Sequence, residues 1–488
     1  MPFALTISMP TRYLAMLTCS VACLAVNPWT HAANLVDIYE LALVNDPTLQ
    51  AAQANFNVSQ EIKAKAISQL LPQISASASY SEANEDSHSE SYFGNFDISN
   101  FPGGNRESQT RTESDTNSYT VTLTQDLFNL SAYFSFKQSH ALSKQGELQL
   151  AIDQQALIIR TANAYFDVLR GQDNLTSSLA EEKAIKQQLE QTQQRYDVGL
   201  IAITDVHESR AAFDLAVANR LTEEVGLGIA YEDLTALTGQ AHTNLANLSA
   251  NFITNRPTPD TAEEWVAFAA KNNLAIKLAA QVAEASNQNA KAKKAAIAPS
   301  IKATLRYKDS QQDADNKNLL TLSKQQSYSN RDGTTAEITL DVPIWAGGFK
   351  QAERREAGFQ RVRDQANLVA AKRSAFRDAR SSFLTTVADT ARVNARRLAI
   401  TSAESALDAT EAGYDAGTRN IVDLLNAQRD LFRAQRDYAN TRYDFIINSL
   451  GLKRAAGILA PDDIYELNNW LVEPEISLQL NQSSPVQD

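Results

Sequence analysis

Two hydrophobic periodicities alternate along the chain. Between Leu148 and Leu169 apolar residues recur at steps of three and four positions, and between Leu424 and Ile446 apolar pairs recur every seven. The first spacing places apolar side chains along one side of a helix, and the second is typical of helices that pack as coiled coils. These segments are predicted to be helices that pack against other helices.

Proline placement indicates how long these helices are. No proline lies between Pro102 and Pro257 or between Pro343 and Pro461, and both spans are rich in helix-forming residues. Helices of unusual length are therefore predicted. A continuous helix from Ser131 to Arg195 would be about 100 Å long at a rise of ~1.5 Å per residue. No single globular domain needs a rod of this length.

Four other segments alternate strictly between apolar and polar residues, which predicts strands with one apolar face. They are Ile74–Tyr80, Tyr119–Leu123, Ile301–Tyr307 and Ala336–Val342. The polar stretches between them, Glu82–Ser118 and Lys308–Thr335, are predicted to be long surface loops. The chain is thus expected to form two β-hairpins with long polar tips.

Strands with one apolar and one polar face match a transmembrane β-barrel, whose strands are about 10 residues long. The secretory signal described below, which predicts export, is consistent with this interpretation. A soluble β-sandwich is the alternative. Four strands are too few to close a barrel or to build a stable core of two sheets. Three copies of the chain would supply twelve strands, so a homotrimer is predicted.

The chain is also an internal repeat. Asn45, Pro72 and Tyr80 recur 227 residues later as Asn272, Pro299 and Tyr307. After the first hairpin the offset falls to 217–218, as from Tyr196 to Tyr414. Each half is predicted to contain a helix, a β-hairpin, a very long helix, a turn and a helix. We divide the chain into residues 34–249, 250–457 and a C-terminal segment, 458–488.

Residues 1–33 are typical of a secretory signal peptide. Arg12 precedes an apolar core, Leu14–Val26, and small residues follow at Thr30–Ala33. Both cysteines, Cys19 and Cys23, lie in this segment, so the mature chain would have no thiol. Lipidation at Cys23 is an alternative interpretation, although the preceding residues lack the usual leucine. No later stretch reaches the ~18 apolar residues of a transmembrane helix.

Charge and motifs exclude several functions. The formal net charge is −12, and loss of Arg12 would bring it to −13. A chain this acidic does not suit general nucleic-acid binding, and the arginine-rich stretch Arg354–Arg380 is predicted to be a solvated helix face. The histidines are scattered, so no metal site is predicted. Gly347-Gly348 lacks the rest of a nucleotide-binding fingerprint, and neither a cofactor nor an enzymatic activity is expected.

Two similar turns stand out within the helical spans. Arg195–Val206 and Glu411–Asn426 align so that Gly199 meets Gly417 and Asp205 meets Asp423. Each segment is predicted to end one helix, turn at the glycine and begin a second helix. The chain should therefore contain two long helical hairpins.

These residues also carry a family likeness. Nearly all of the mature sequence resembles the TolC family of trimeric outer-membrane exit ducts of Gram-negative drug efflux and type I secretion. The likeness is carried by Asn34–Tyr39, Ser68–Gln73, Thr161–Phe166, Gly199–Asp205, Glu411–Tyr414 and Gly417–Asp423.

The resemblance implies a mixed, mainly α fold. Long antiparallel helical hairpins would form an α-barrel tunnel in the periplasm, and four strands per chain would contribute to a twelve-stranded trimeric transmembrane β-barrel. It also implies a mixed belt around the tunnel, to which Asn247–Trp265 and Pro461–Trp470 would contribute.

The resemblance also implies a gate of polar links at the periplasmic end. Tyr414 would bond Asp205 within one chain, and Arg419 would reach Thr204 of its own chain and Asp205 of the neighbour. Glu411 would face Gln188 of an adjacent protomer. Hydrogen bonds in which one partner is charged are the strong ones, which suits links that hold a constriction closed. Ordinary surface ion pairs are the alternative interpretation, and they contribute about 0–1 kcal/mol.

The resemblance assigns further roles near the turns. Asp423 would form a pore-facing ring of three carboxylates that favours cations. The family has a second aspartate three residues later, where this chain has Asn426. The residues Gly199, Leu200, Gly417 and Thr418 would contact a periplasmic adaptor protein. That adaptor would connect the duct to an inner-membrane pump of the RND, ABC or MFS type.

The sequence therefore predicts a passive homotrimeric channel in the outer membrane that exports drugs, proteins or both. A duct dedicated to type I protein secretion is a narrower alternative. A trimeric coiled-coil adhesin is an alternative from another class, but adhesins lack the internal repeat and should conduct no ions.

Overall fold

The computed structural model describes residues 32–93 and 104–473. The predicted signal peptide lies outside these residues except for its last two positions. The C-terminal tail from residue 474 also lies outside them. The helices are α1 (Leu35–Asn45), α2 (Pro47–Ser68), α3 (Leu130–Asp197), α4 (Ile203–Thr238), α5 (Ala262–Asn272), α6 (Leu274–Ala295), α7 (Phe349–Asp415), α8 (Ile421–Ala456) and α9 (Asp462–Asn468). The strands are β1 (Gln73–Phe93), β2 (Gly104–Phe128), β3 (Asn247–Leu248), β4 (Ser300–Asn318), β5 (Lys324–Asp341) and β6 (Leu471–Val472).

The long helices and the internal repeat are confirmed. Helix α3 has 68 residues and α7 has 67, while α4 and α8 have 36 each. At ~1.5 Å per residue, α3 and α7 are each about 100 Å long. In both halves the order is a 22-residue helix, a β-hairpin, a long helix and a 36-residue helix.

Local sequence signals mark where these helices begin and end. Asn420 caps α8 by accepting a hydrogen bond from the Asp423 N–H at 2.8 Å. At their other ends, α4 and α8 stop at Gly239 and Gly457, with φ of +73° and +76°. This left-handed backbone is the common helix ending for which glycine is favoured.

The predicted polar loops are wrong. Pairing between β1 and β2 continues from Gln73↔Thr124 to Phe93↔Gly104, and β4 pairs with β5 from Ser300 to Lys317. Most of Glu82–Ser118 and Lys308–Thr335 is therefore strand. Alternation of apolar and polar residues stops in these stretches because both faces are polar, and the backbone ladder alone continues the strands.

The register collects the apolar strand positions on one face of a sheet. Its order is β1-β2-β4-β5, and Leu123 pairs with both Ile74 and Leu305. The neighbouring positions on the opposite face, such as Thr122 and Arg306, are polar. Large apolar side chains of this face are exposed in the single chain: Ile74, Tyr80, Tyr119, Val121, Leu305, Tyr307, Ile338 and Leu340.

The main core lies around the middle of the long helices. Tyr165 and Phe166 of α3 are buried there, and the Phe166 ring lies 5.8 Å from that of Tyr443 on α8. Strands β3 and β6 pair beside this core, so the two segments assigned to the belt lie together. No helix within residues 32–93 and 104–473 is both long and apolar enough to cross a membrane.

Candidate functional site at the ends of the helical hairpins

The turn between α3 and α4 lies at the end of its hairpin that is remote from the sheet, because α3 begins directly after β2. Gly199 has φ of +80°. The Leu200 N–H donates to the Arg195 carbonyl at 2.9 Å, and the Gly199 N–H donates to the Tyr196 carbonyl at 2.8 Å. This pair of bonds satisfies carbonyls that the end of α3 would leave unpaired.

The turn between α7 and α8 repeats this geometry. The Thr418 N–H donates to the Gly413 carbonyl at 2.8 Å, and the Gly417 N–H donates to the Tyr414 carbonyl at 3.0 Å. Gly417 has φ of +75°. The twin turns identified in the sequence are therefore alike in their hydrogen bonds as well as in their residues.

The first turn exposes large apolar side chains, whereas the matching positions of the second turn do not. Val198 and Leu200 are 70% and 73% exposed, and Ile203 is also exposed. At the matching positions of the second turn stand Ala416 and Thr418. The two turns thus present different chemistry to a partner, even though their backbones are alike.

A small apolar cluster packs the two hairpins together just above the turns. Ile185 of α3, Ala216 of α4 and Leu424 of α8 are buried in it, and Tyr414 packs against its side. Since the cluster draws residues from both hairpins, separating them would expose apolar surface to water.

Of the predicted gate residues, Thr204, Asp205 and Arg419 make local contacts in the single chain. Thr204 Oγ1 donates to Asp205 Oδ1 at 3.4 Å. Arg419 Nη1 lies 3.7 Å from Asp423 Oδ2, one helical turn further along α8. The predicted contact between Arg419 and Thr204 is not among the hydrogen bonds of the described residues, where the ion pair with Asp423 takes its place.

The Tyr414 hydroxyl is buried, and no group within residues 32–93 and 104–473 meets it with good hydrogen-bond geometry, although the nearby guanidinium of Arg195 interacts with it and this contact helps to raise the pKa of Arg195. The bond to Asp205 predicted within one chain is therefore not formed here. The guanidinium of Arg195 instead lies 5.0 Å from the centre of the Tyr414 ring. A buried phenol without a partner is costly, so this hydroxyl is available to a further group.

Gln188 and Glu411 line the same cleft of about 520 Å³, together with Tyr414 and Arg195. The family resemblance predicts that Glu411 contacts Gln188 of an adjacent protomer. The structure places the Glu411 and Gln188 of one chain at the same cleft. Gln188 is buried, and its carbonyl accepts a hydrogen bond from Thr192 Oγ1 at 2.8 Å.

The two candidate pore positions lie at the start of α8. The N–H of Asp423 is held by Asn420, whereas its half-buried carboxylate points toward Arg419. Asn426 is exposed one helical turn later. Three residues apart on a helix, these side chains lie on a shared face.

Sequence reasoning missed an ion pair between the ends of α3 and α7. Arg195 Nη2 donates to Asp415 Oδ1 at 2.8 Å, and this hydrogen bond raises the pKa of Arg195. Both residues stand close to a turn glycine, and this position was the hint in the sequence that they could contribute to the site. The pairing itself joins residues 220 positions apart and could not be recognised from local spacing.

Two carboxylates of α3, those of Asp173 and the buried Glu181, meet α8 further from the turns. The hydroxyl of Tyr443 donates to Asp173 Oδ2 at 2.6 Å, and Arg436 Nη1 lies 3.3 Å from Glu181 Oε2. Burial raises the pKa of both carboxyl groups, although their partners oppose the shift. The hairpins are therefore joined along their length by polar contacts as well as by apolar packing.

One group of metal-ligating residue types comes together within the described ranges. His88 Nε2 lies 3.8 Å from Glu90 Oε1 and 4.0 Å from Glu107 Oε1, on the β1–β2 hairpin. Glu107 is opposite Glu90 in the strand register, a proximity that the scattered histidines of the sequence did not predict. All three side chains are exposed and lie on the sheet, away from the helical turns.

The model of the family "Outer membrane efflux protein" matches residues 38–240 and 265–458. These ranges include both long hairpins and both strand pairs. The chain belongs to the outer membrane efflux protein family. Membership identifies it as a channel protein of the outer membrane, a family whose function is export.

Curated relatives of this family are similar over most of their length. The outer membrane protein TolC of Vibrio cholerae is 34% identical over 440 residues, which cover 90% of this chain and 94% of the relative. TolC of Escherichia coli is 33% identical over 447 residues, with 91% and 86% covered. The proteases secretion protein PrtF of Dickeya chrysanthemi is 24% identical over 90% of this chain and 91% of its own.

Solved structures of the family share the fold. The outer membrane protein VceC of Vibrio cholerae has a TM-score of 0.68 at 19% identity, with 87% of this chain and 96% of that chain covered. The Campylobacter jejuni outer membrane channel CmeC has the same TM-score at 15% identity, with 90% and 89% covered. The predicted combination of an α-barrel tunnel with a β contribution is thereby confirmed.

Proposed function

We propose that this chain is a homotrimeric channel-tunnel that serves as the exit duct of tripartite efflux and type I secretion systems. The observation that carries the proposal is the combination of two helical hairpins, each containing one helix about 100 Å long, with a four-stranded sheet that has an exposed apolar face. A sheet of this kind suits a membrane, and hairpins of this length suit a tunnel through the periplasm.

The sheet supports the trimer. Strands β1 and β5 are its edges, and their outer hydrogen-bonding groups have no partner strand within the described chain. Long unpaired edges are a template for pairing with another chain. Three copies of the four-stranded sheet would close a barrel of twelve strands, and its exposed apolar face would then contact outer-membrane lipid.

The ends of the hairpins would form the gate. In this proposal the links made by Tyr414, Arg419, Asp205 and Thr204 form when three protomers meet, and Glu411 and Gln188 add a further contact at their cleft. The unpartnered Tyr414 hydroxyl supports this idea, because a buried donor gains most from a new acceptor. Its acceptor would be an Asp205 carboxylate brought close by assembly.

Asp423 would provide the selectivity ring. Three copies of one carboxylate around a narrow opening favour cations over anions. Asn426 contributes no charge one turn later, so the chain would have one acidic ring and not two.

The partners would be a periplasmic adaptor and an inner-membrane pump of the RND, ABC or MFS type. Gly199, Leu200, Gly417 and Thr418 would meet the adaptor, and the exposure of Leu200 offers an apolar contact there. The duct itself would be passive, with no cofactor, no catalysis and no nucleic-acid partner.

The test combines a conductance measurement with a deletion strain. We expect the purified protein to form discrete channels in planar bilayers. We also expect its deletion to increase susceptibility to drugs and its return on a plasmid to restore resistance. Absence of any conductance would contradict the channel and favour a coiled-coil adhesin.

A duct dedicated to type I secretion is the second candidate. It is supported by the relatives named as secretion proteins, PrtF and the alkaline protease secretion protein AprF of Pseudomonas aeruginosa, both 24% identical. Unchanged drug susceptibility in the deletion strain, together with loss of a secreted protein from the medium, would favour this candidate.

A further inference from the structure

The contact between Arg195 and Asp415 lies at the turn end of both hairpins, remote from the sheet. Arg195 stands in the last turn of α3, and Asp415 is the last residue of α7. The guanidinium donates to the carboxylate at 2.8 Å and also covers the ring of Tyr414, 5.0 Å from its centre. A single side chain of the first hairpin thus contacts two consecutive residues of the second.

Other charged contacts near the turns are of a different kind. Arg419 with Asp423, and Arg210 with Asp214 at 3.5 Å, each join residues four apart on one helix. Such pairs persist when a hairpin moves as a rigid body. The contact of Arg195 with Asp415 cannot persist, because its partners belong to different hairpins.

The surroundings of Tyr414 show what this contact positions. One side of Tyr414 packs against the apolar cluster of Ile185 and Leu424, while Arg195 lies over its ring. Cation–π contact restricts the ring further. The hydroxyl is therefore held at a defined place in the cleft, close to Arg195, although its O–H has no acceptor within the described residues.

We propose that Arg195 is a positioning residue of the gate, which ties the end of α7 to α3 through Asp415 and holds the Tyr414 ring in the closed arrangement. Opening would require the two hairpins to separate at their ends, which breaks this tie in each protomer. The inference rests on the proposed channel function and adds a link that the family resemblance did not supply.

The first experiment compares the open fraction and the single-channel conductance of wild type, Arg195→Gln and Asp415→Asn in planar bilayers. Exposed ion pairs contribute little individually, so the loss of one tie should increase the open fraction by up to about fivefold, and the loss of all three ties of a homotrimer by up to about a hundredfold. The increase should be smaller in 1 M than in 0.1 M KCl, because salt screens the ion pair in the wild-type channel. Arg210→Gln is the matched control, since it removes an arginine from α4 without loosening the two hairpins.

A second set of variants separates positioning from folding. The exchange Arg195→Asp with Asp415→Arg restores opposite charges and should return conductance toward the wild-type value. Arg195→Lys keeps the charge but loses the planar fork and the stacking on Tyr414, so its conductance should be intermediate. A fold defect would not be repaired by reversing two charges.

The outcomes distinguish the inference from the proposed function. A wild-type protein without conductance would overturn both. A wild-type channel whose conductance is unchanged by Arg195→Gln and Asp415→Asn would overturn the inference alone, as would an exchange variant no closer to wild type than Arg195→Gln.

Discussion

Single residues at the helix turns have separable roles, and Arg419 is an exposed gate residue that carries a full charge. In one chain it pairs with Asp423 at 3.7 Å. Two partners therefore compete for its guanidinium: Asp423 on its own helix, and the Thr204 and Asp205 pair that the gate hypothesis assigns to it.

Replacing Arg419 with Ser should increase the single-channel conductance in planar bilayers. The substitution removes the guanidinium from both links proposed for Arg419 while leaving the turn backbone intact. Arg433→Ser is the control, because Arg433 is an exposed arginine of the same helix that pairs locally with Asp430 at 3.9 Å. Equal conductance of wild type and Arg419→Ser would exclude a latch at this residue.

Asn426 stands where the family resemblance predicts a second aspartate. Asn426→Asp should strengthen block by a trivalent cation such as hexamminecobalt, because a second acidic ring would increase the negative potential of the pore. Asp423→Asn should weaken the block. The measurement is the inhibition constant of the trivalent cation for wild type and each variant in planar bilayers. Equal inhibition constants for Asn426→Asp and wild type would place residue 426 away from the permeation path.

Gly457 is required for packing as well as for its turn. An added Cβ would lie 2.5 Å from the backbone of Asn272 and Asn273, and φ is +76°. Gly457→Ala should therefore destabilise the protein by roughly 2 kcal/mol or more, measured as thermal unfolding in detergent. Gly451→Ala is the control on the same helix, where nothing lies within 4 Å, and a gain of about 0.5–1 kcal/mol is expected. Similar unfolding of the two variants would contradict this account.

At the scale of elements, α3 and α8 meet through a carboxylate whose ionised form is disfavoured. Burial raises the pKa of Asp173, while the Tyr443 hydroxyl and the charge of Arg442 act in the opposite direction. The folded chain therefore holds this proton at a higher pH than the unfolded chain does. The corresponding stability is present at low pH and is lost as pH rises through the folded pKa.

Asp173→Asn should remove this pH dependence. At pH 7 the variant should unfold at the same or a higher temperature than wild type. As the pH falls toward 4.5, the unfolding temperature of wild type should rise relative to that of the variant. Asn Oδ1 can still accept the bond from Tyr443, so the packing is preserved. Tyr443→Phe removes the donor and should destabilise most at neutral pH, by about 1–3 kcal/mol. A constant difference between Asp173→Asn and wild type across this pH range would exclude the raised pKa as the cause.

At the scale of the whole molecule, the open sheet is the feature that requires other copies. Its edges β1 and β5 have 21 and 18 residues. Edges of this length would promote uncontrolled association if the chain remained alone. Closure into a barrel removes all edges, which is the physical reason to expect a trimer.

Mass measurement in detergent should therefore give three times the mass of one chain. A cysteine at Ser77 on β1, combined with single cysteines along residues 335–341 on β5, should give disulfide-linked multimers for one register. The same cysteine combined with one at Thr122, on the interior strand β2, should give none between chains. A single-chain mass with no cross-linking register would contradict the trimer.

Much of the fold could be predicted because its signals are local. Apolar spacing and missing prolines identify α3 and α7, and the turn glycines at Gly199 and Gly417 identify the ends of the hairpins. Strand length was not predictable in the same way. Beyond Tyr80 both faces of the hairpin are polar, so the ladder between strands continues where the pattern in one strand stops.

The candidate site shows the same difference between features with local sequence signals and contacts between residues far apart in the chain. By itself the sequence determined the helices, the two turns and the apolar strand face, since each depends on residues close together in the chain, and comparison of its two halves showed the internal repeat. Tertiary structure alone decided that Arg195 meets Asp415, that Gln188 and Glu411 share a cleft, and that the Tyr414 hydroxyl is left without a partner in one chain. Such contacts join residues about 220 positions apart and depend on how two long rods pack, where a shift of one helical turn, ~5.4 Å, would exchange every partner.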